Sequence, residues 1–223
     1  MKEITHFPIY IINLEERKDR LNHILNEFKD KEEFIIELIQ SEKNKKGNVG
    51  LWDNIKRCVN FAIERDQDFI IICEDDHVFT KDYSRDFLHK CIRDAYEKKC
   101  NVLSGGVSWF ETGIQISNDL FWIEKFTGLQ FTVIFKSLFR KIMAIDFSTL
   151  DAADQKITFL SSDKLLIYPF ISNQKEFGYS DVTDKNNKSY RVEKLFDETQ
   201  QKLEILNKVR NYYLQLNNRE NTI

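Results

Sequence analysis

From Phe69 to His77 the chain reads Phe-Ile-Ile-Ile-Cys-Glu-Asp-Asp-His. A strand with one face in water alternates apolar and polar residues; five apolar residues in succession do not. Preceded by turn-prone Asp66, Gln67 and Asp68, the run reads as a strand buried on both faces, the kind found in parallel sheets covered by helices. It ends in three carboxylates, Glu74, Asp75 and Asp76. Ligands of open α/β sheets sit beyond the carboxyl ends of the strands. Three acids crowded there repel one another, and a hard divalent cation relieves that repulsion while leaving positions for phosphate oxygens. The expectation is a metal–nucleotide site.

The segments around this strand repeat the theme. Phe7–Leu14 is a second buried-strand signal, followed by a helical face of Leu21, Ile24, Leu25 and Phe28. Phe34–Ile39 reads as a short strand and Ser41–Asn48 as a polar loop, with Gly47 and Gly50 as breakers. Leu51, Trp52, Ile55, Val59, Ala62 and Ile63 then repeat at helical spacing. Past the acids come a helix with Phe87, Leu88, Cys91, Ile92 and Ala95 and a short strand, Asn101–Leu103, running into Gly105-Gly106. This βαβαβαβ order predicts a mostly parallel, doubly wound nucleotide-binding sheet with helices on both faces. The second half is mixed, with strands at 120–123, 129–135 and 165–169, a helix holding Leu138, Phe139, Ile142 and Met143, and polar residues from 171 to 190. The predicted division is a domain over residues 1–190 and a C-terminal helix within 191–223, packed on it or used for association. That helix carries Leu195, Phe196, Leu203, Leu206, Val209 and Tyr213 on one stripe. Its mixed charges weigh against a membrane-binding face, although peripheral membrane association stays open.

Composition narrows the function classes. A chain of 223 residues can bury a sizeable core, and a formal charge of −3 disfavours a nucleic-acid surface. Cys58, Cys73, Cys91 and Cys100 form no CxxC pair, which argues against structural zinc and for free thiols in a reducing cytoplasm. No signal-like h-region precedes the first strand, and no apolar run reaches the ~18–20 residues of a membrane span.

A strand-end carboxylate cluster in such a sheet resembles the GT-A class of glycosyltransferases, with its D-x-D-type metal motif. The segment Tyr10-Ile-Ile-Asn-Leu-Glu-Glu-Arg-Lys-Asp-Arg20 resembles the opening of glycosyltransferase family 25, the lipopolysaccharide-type transferases. Gly47-Asn48-Val49-Gly50 is similar to that family's next G-x-x-G segment, and Glu74-Asp75-Asp76 to its Glu-Asp-Asp motif. Pro169, Gln174 and Ser180 fit a looser C-terminal pattern, and the similarity spans residues 7–182. Where members carry Ser-His in the helix after G-x-x-G, this chain has Asn54-Ile55. The resemblance implies transfer of a hexose from a nucleotide sugar, UDP-linked, to a glycan or lipid-linked saccharide acceptor, with inversion. It implies a divalent metal, Mn²⁺ or Mg²⁺, and a place in lipopolysaccharide biosynthesis.

Candidate roles follow. Asp76 is the first metal ligand, with Glu74 or Asp75 on metal or donor ribose. Arg17 and Arg20, one helical turn apart, suit donor phosphates, and Asn13 suits base or ribose. The family places an acid near the acceptor in the region of Asp151 and Asp154, either of which could be the general base; in a helix they would share a face. Gly105 and Gly106 would allow close backbone approach to the sugar. His77 suits packing or metal, and Ser172, Asn173, Gln174 and Asp181 are further contacts that spacing does not separate. Two rival readings use the same residues: a metal-dependent phosphotransferase or nuclease, and a catalytically degenerate GT-A-fold binding protein.

Overall fold

The computed structural model describes residues 4–44, 46–178 and 191–220, with side chains to 216. The apolar run forms β3 (Phe69–Glu74), after β1 (Phe7–Leu14), α1 (Lys18–Glu27), β2 (Phe34–Ser41) and α2 (Gly47–Glu64). Next come β4 (His77–Phe79), α3 (Arg85–Glu97), β5 (Val102–Ser104), β6 (Trp109–Phe110), β7 (Gly113–Gln115), β8 (Leu120–Ile123), β9 (Phe126–Thr127) and β10 (Phe131–Phe135). The chain closes with α4 (Lys136–Ala144), α5 (Ala153–Leu160), β11 (Lys164–Ile167), β12 (Ser172–Gln174) and α6 (Arg191–Glu220).

Eight strands make one sheet in the order β2-β1-β3-β10-β5-β11-β8-β7. β10 and β8 run against the rest, so the sheet is mixed but mostly parallel, as expected. Alternate residues of β3 serve two cores. Ile70 and Ile72 pack with Trp52, Ile55 and Val59 of α2 and with residues of α4, α5 and α6. Phe69, Ile71 and Cys73 face Ile24 of α1 and Leu88, Cys91 and Ile92 of α3. Each fully buried isoleucine contributes roughly 1.5–3 kcal/mol, which is why this strand sits inside the sheet. All four cysteines are free and buried, and no described helix is long and apolar enough to cross a membrane.

Several local expectations change. α2 begins at Gly47, four residues before the apolar repeat, so the G-x-x-G segment is its first turn rather than loop. α5 begins at Ala153, leaving Asp151 ahead of it and the two candidate bases on different kinds of backbone. Of the strands of two or three residues, β5 overlaps the expected Asn101–Leu103, whereas β4, β6, β7, β9 and β12 are too short to carry a periodic signal. Residues 171–178 include β12, while Ser180 and Asp181 lie outside the described residues.

Gly105 and Gly106 permit a close approach, and the structure makes it within the chain. Ile171 N and Ser172 N donate to the Gly105 carbonyl at 2.9 and 3.2 Å. A Cβ on Gly106 would lie 2.1 Å from the Ser172 carbonyl oxygen. The segment leading into β12 is thereby pressed onto the end of β5. Gly106→Ala is expected to destabilise the protein by about 1–3 kcal/mol or more through overpacking, measured by urea unfolding; an unchanged midpoint would show that this contact is slack.

Candidate functional site

Parallel register sets Ile12 beside Glu74, so Asn13, the next residue of β1, comes alongside Asp75, the first residue past β3. The strand order also reverses here, because β2 lies on one side of β1 and β3 on the other, which makes this the sheet's switch point. Asn13 Nδ2 donates to Asp75 Oδ2 at 3.0 Å and to the Arg17 carbonyl at 3.3 Å. α1 starts immediately afterwards, which hangs its first turn over both strand ends. From it Arg20 Nη1 donates to Asp75 Oδ1 and to Asp76 Oδ2, each at 3.1 Å. Arg17 Nη1 lies 3.5 Å from Asp75 Oδ2. The Arg20 guanidinium also covers the Phe177 ring, 4.8 Å from its centroid.

The opposite flank is held by the small ribbon of β4 and β12, which sets Gln174 across from His77. Gln174 Nε2 donates to Asp76 Oδ2 at 2.9 Å, and Lys175 N to the Asp76 carbonyl at 2.8 Å. Asp75, Asp76 and Arg20 are buried, at 3%, 6% and 4% exposure. Charges so far from water persist only when paired and hydrogen-bonded, and removing one partner from such a set typically costs 3–5 kcal/mol.

Three carboxylates nevertheless face two guanidiniums. Burial, then repulsion from Asp76, Asp75 and Asp154, pushes Glu74 up to about 8. Burial and Asp75 push Asp76 up to about 6, against the pull of Arg20 and the Gln174 hydrogen bond. Asp75 has both oxygens engaged, whereas Asp76 Oδ1 is buried with no hydrogen-bond partner among the described residues. The groups with spare capacity for a cation are therefore Asp76 Oδ1 and the Glu74 carboxylate. Among the described residues no three His, Cys, Asp or Glu side chains converge. Two carboxylates suit an ion of the Mg²⁺ type, which completes its shell with phosphate and water.

Beside the acids opens a cleft walled by Leu14, Arg17, Lys43, Gly47, Asn54 and Glu74. Asn54 is fixed in it by donating to Ser41 Oγ and accepting from Arg57 Nη1, both at 2.9 Å. Asn48, in the first turn of α2, donates to the carbonyls of Thr149 and Asp151 at 3.0 and 2.8 Å. That contact ties the cleft wall to the loop before α5.

The structure puts Asp154 within electrostatic range of Glu74 and holds Asp151 in a turn. Asp154, on the first turn of α5, accepts from Gly128 N at 3.3 Å and Gln155 N at 2.7 Å. Burial raises its pKa, and its charge opposes that of Glu74. Asp151 accepts from Ser148 N, Ser148 Oγ and Lys156 Nζ at 2.7, 2.9 and 2.8 Å. Lys156 first, then the Ser148 contacts, hold it down to about 2. His77 is fully buried among Phe28, Phe79 and Phe131 and bonds Ser172 Oγ at 2.8 Å, a packing role. Gln174 is the contact that spacing did not single out, because its partner stands 98 positions away across a short ribbon. Phe177 and Asn54 were likewise unsignalled.

No family model matches the chain, and no curated protein matches it in sequence. Among solved structures the fold is similar to that of A197 from STIV, 12% identical with a TM-score of 0.53 over 79% of this chain and 87% of that one. Apo UDP-glucose pyrophosphorylase aligns at 10% identity and a TM-score of 0.46, over 81% of this chain and 78% of that one. UDP-glucose pyrophosphorylase complexed with UDP-glucose aligns at 9% and 0.47, over 75% and 74%. A197 shares the fold; identities this low carry no function across.

The raised carboxyls have a signature in stability. A carboxyl whose pKa folding has raised stabilises the native state while protonated; that contribution is complete below its unfolded value and is lost as pH rises through the folded one. For Glu74 the window runs from 4.5 to about 8. Without divalent metal, the unfolding temperature is expected to fall across this range, and Glu74→Gln to flatten its upper part, above about pH 7, where Asp76, at about 6, is already mostly ionised. Parallel wild-type and Glu74→Gln profiles would contradict the assignment.

Proposed function

We propose that the chain is a metal-dependent glycosyltransferase that moves a hexose from a nucleotide sugar, UDP-linked, to a glycan or lipid-linked saccharide acceptor in the cytoplasm. One observation carries the reading. Residues of all three segments that resemble family 25 line one cleft: Ile12, Leu14 and Arg17 from the first, Gly47 and Gly50 from the second, Glu74 and Asp75 from the third. Segments far apart in sequence meet where an α/β sheet binds ligands.

Within this reading each residue has a task. Arg17 lines the cleft and offers a guanidinium to the donor diphosphate. Arg20 and Gln174 hold Asp76 Oδ2, which orients Oδ1 for a cation. Asn13 aligns Asp75, and Glu74 completes the acidic wall. A divalent ion held by Asp76 and Glu74 would act as a Lewis acid on the departing diphosphate. Asp154, desolvated and near the acids, accepts the proton of the acceptor hydroxyl, consistent with inversion. A second reading, a binding protein without turnover, draws on Asp75, whose carboxylate ties α1 to β3 whether or not anything is transformed.

The test is a screen of nucleotide sugars for hydrolysis and transfer with Mn²⁺. Asp76→Asn is expected to lower kcat at least about 100-fold, the scale of several kcal/mol of leaving-group stabilisation. Asp154→Asn should lower it by about 10²–10⁴, both with unchanged circular dichroism. Undiminished turnover in Asp76→Asn contradicts the assignment. Donor binding with no turnover under any condition selects the second reading.

A further inference from the structure

Helix α6 is 30 residues long, about 45 Å, and its two halves present different faces. Val192, Phe196, Thr199 and Leu203 are buried at 4%, 1%, 2% and 0% exposure; the three apolar ones join the core, and Thr199 Oγ1 donates to the Ser108 carbonyl at 2.9 Å. On the same line farther along, Asn207 and Arg210 keep the second half against the body. Gln115 Nε2 of β7 donates to Asn207 Oδ1 at 2.8 Å, and Arg210 Nη1 to Asn118 Oδ1 at 3.0 Å.

A second stripe runs through Ile205, Leu206, Val209, Tyr212, Tyr213 and Leu216, rotated by roughly 110° from the first at 3.6 residues per turn. Four of these side chains point away from the body, Ile205 at 60% exposure, Val209 at 50%, Tyr212 at 59% and Tyr213 at 60%, while Leu206 and Leu216 at the margins are partly covered. The same line in the first half is mostly charged or polar, with Arg191, Lys194, Glu198 and Lys202. The apolar stripe is therefore confined to the half beyond the core. Charge changes at the same place. Residues 191–204 hold Glu193, Asp197, Glu198 and Glu204 against Arg191, Lys194 and Lys202, whereas between 205 and 216 the charged residues are Lys208 and Arg210. Read as one helix the charges are mixed; read by halves, the acids end at Glu204, just before the exposed apolar stripe begins, and the charged residues along the stripe are Lys208 and Arg210.

We propose that this half of α6 is an interfacial anchor that lies on an anionic lipid surface. Its aliphatic residues would enter the acyl boundary and the Tyr212–Tyr213 pair the headgroup level, with Lys202 and Lys208 toward acidic headgroups. A second copy of the chain is the poorer occupant. The stripe supplies six side chains where standard interfaces engage roughly 20–30 residues a side. The proposal stands independently of the transferase reading.

Flotation of the whole chain with vesicles of phosphatidylcholine alone, and of phosphatidylcholine mixed with phosphatidylglycerol, tests it. Binding is expected to the mixed vesicles and to weaken with salt. Val209→Asp should lower it at least tenfold without changing the unfolding temperature, since Val209 touches no core. Lys208→Gln should lower it about fivefold, the worth of one cation at an anionic leaflet, and leave the neutral vesicles unaffected. Equal binding to both vesicle types, no binding, or an undiminished Val209→Asp variant overturns the proposal. A solution mass that doubles with concentration and reverts in Val209→Asp assigns the stripe to a second copy instead.

Discussion

The contact on which the molecule turns is the buried Arg20–Asp75–Asp76 cluster. It joins the first turn of α1 to the end of β3, and through Gln174 it reaches β12, so three distant parts of the chain are fixed by one guanidinium and two carboxylates. Such a cluster is costly to desolvate and worth keeping only if every oxygen has a task. Asp75 meets that condition within the protein. Among the described residues Asp76 Oδ1 does not, and the crowding that pushes Glu74 and Asp76 up leaves carboxyl capacity there that the fold itself does not use.

Topology explains why the site opens on one side. On the α1 and α3 face, aromatic packing around Phe28, Phe34, Phe79 and Phe131 closes the sheet. On the other face the first turn of α2 stands off from β1, and α5 brings Asp154 toward Glu74. The second half of the chain supplies the parts a plain doubly wound sheet would lack. β10 inserts antiparallel between β3 and β5, and β12 adds a second strand over the acids.

What the sequence disclosed is what burial controls. β1 and β3 announced themselves because a strand covered on both faces has no polar alternation, and the acids at the end of β3 marked where the sheet stops. The start of α2 escaped because Gly47 and Gly50 read as breakers, although a helix's first turn does not depend on side-chain propensity alone. Gly106 looked like room for a ligand, yet the Ser172 carbonyl fills that room, a contact between residues 66 positions apart. Gln174 fitted the looser C-terminal pattern of the resemblance, but spacing alone did not separate it from its polar neighbours, since only the pairing of β4 with β12 gives it Asp76. The apolar stripe of α6 was drawn as one line in the sequence, whereas burial splits it into two at Leu203.

Calorimetric titration of UDP, with and without Mn²⁺, against the wild type and Asp76→Ala is the most direct test of the claim that the end of β3 is a cation-holding ledge for a nucleotide. Heat of binding that requires the metal and vanishes in Asp76→Ala is the predicted result. Binding of UDP that ignores both the metal and the substitution, or no binding at all, would contradict it.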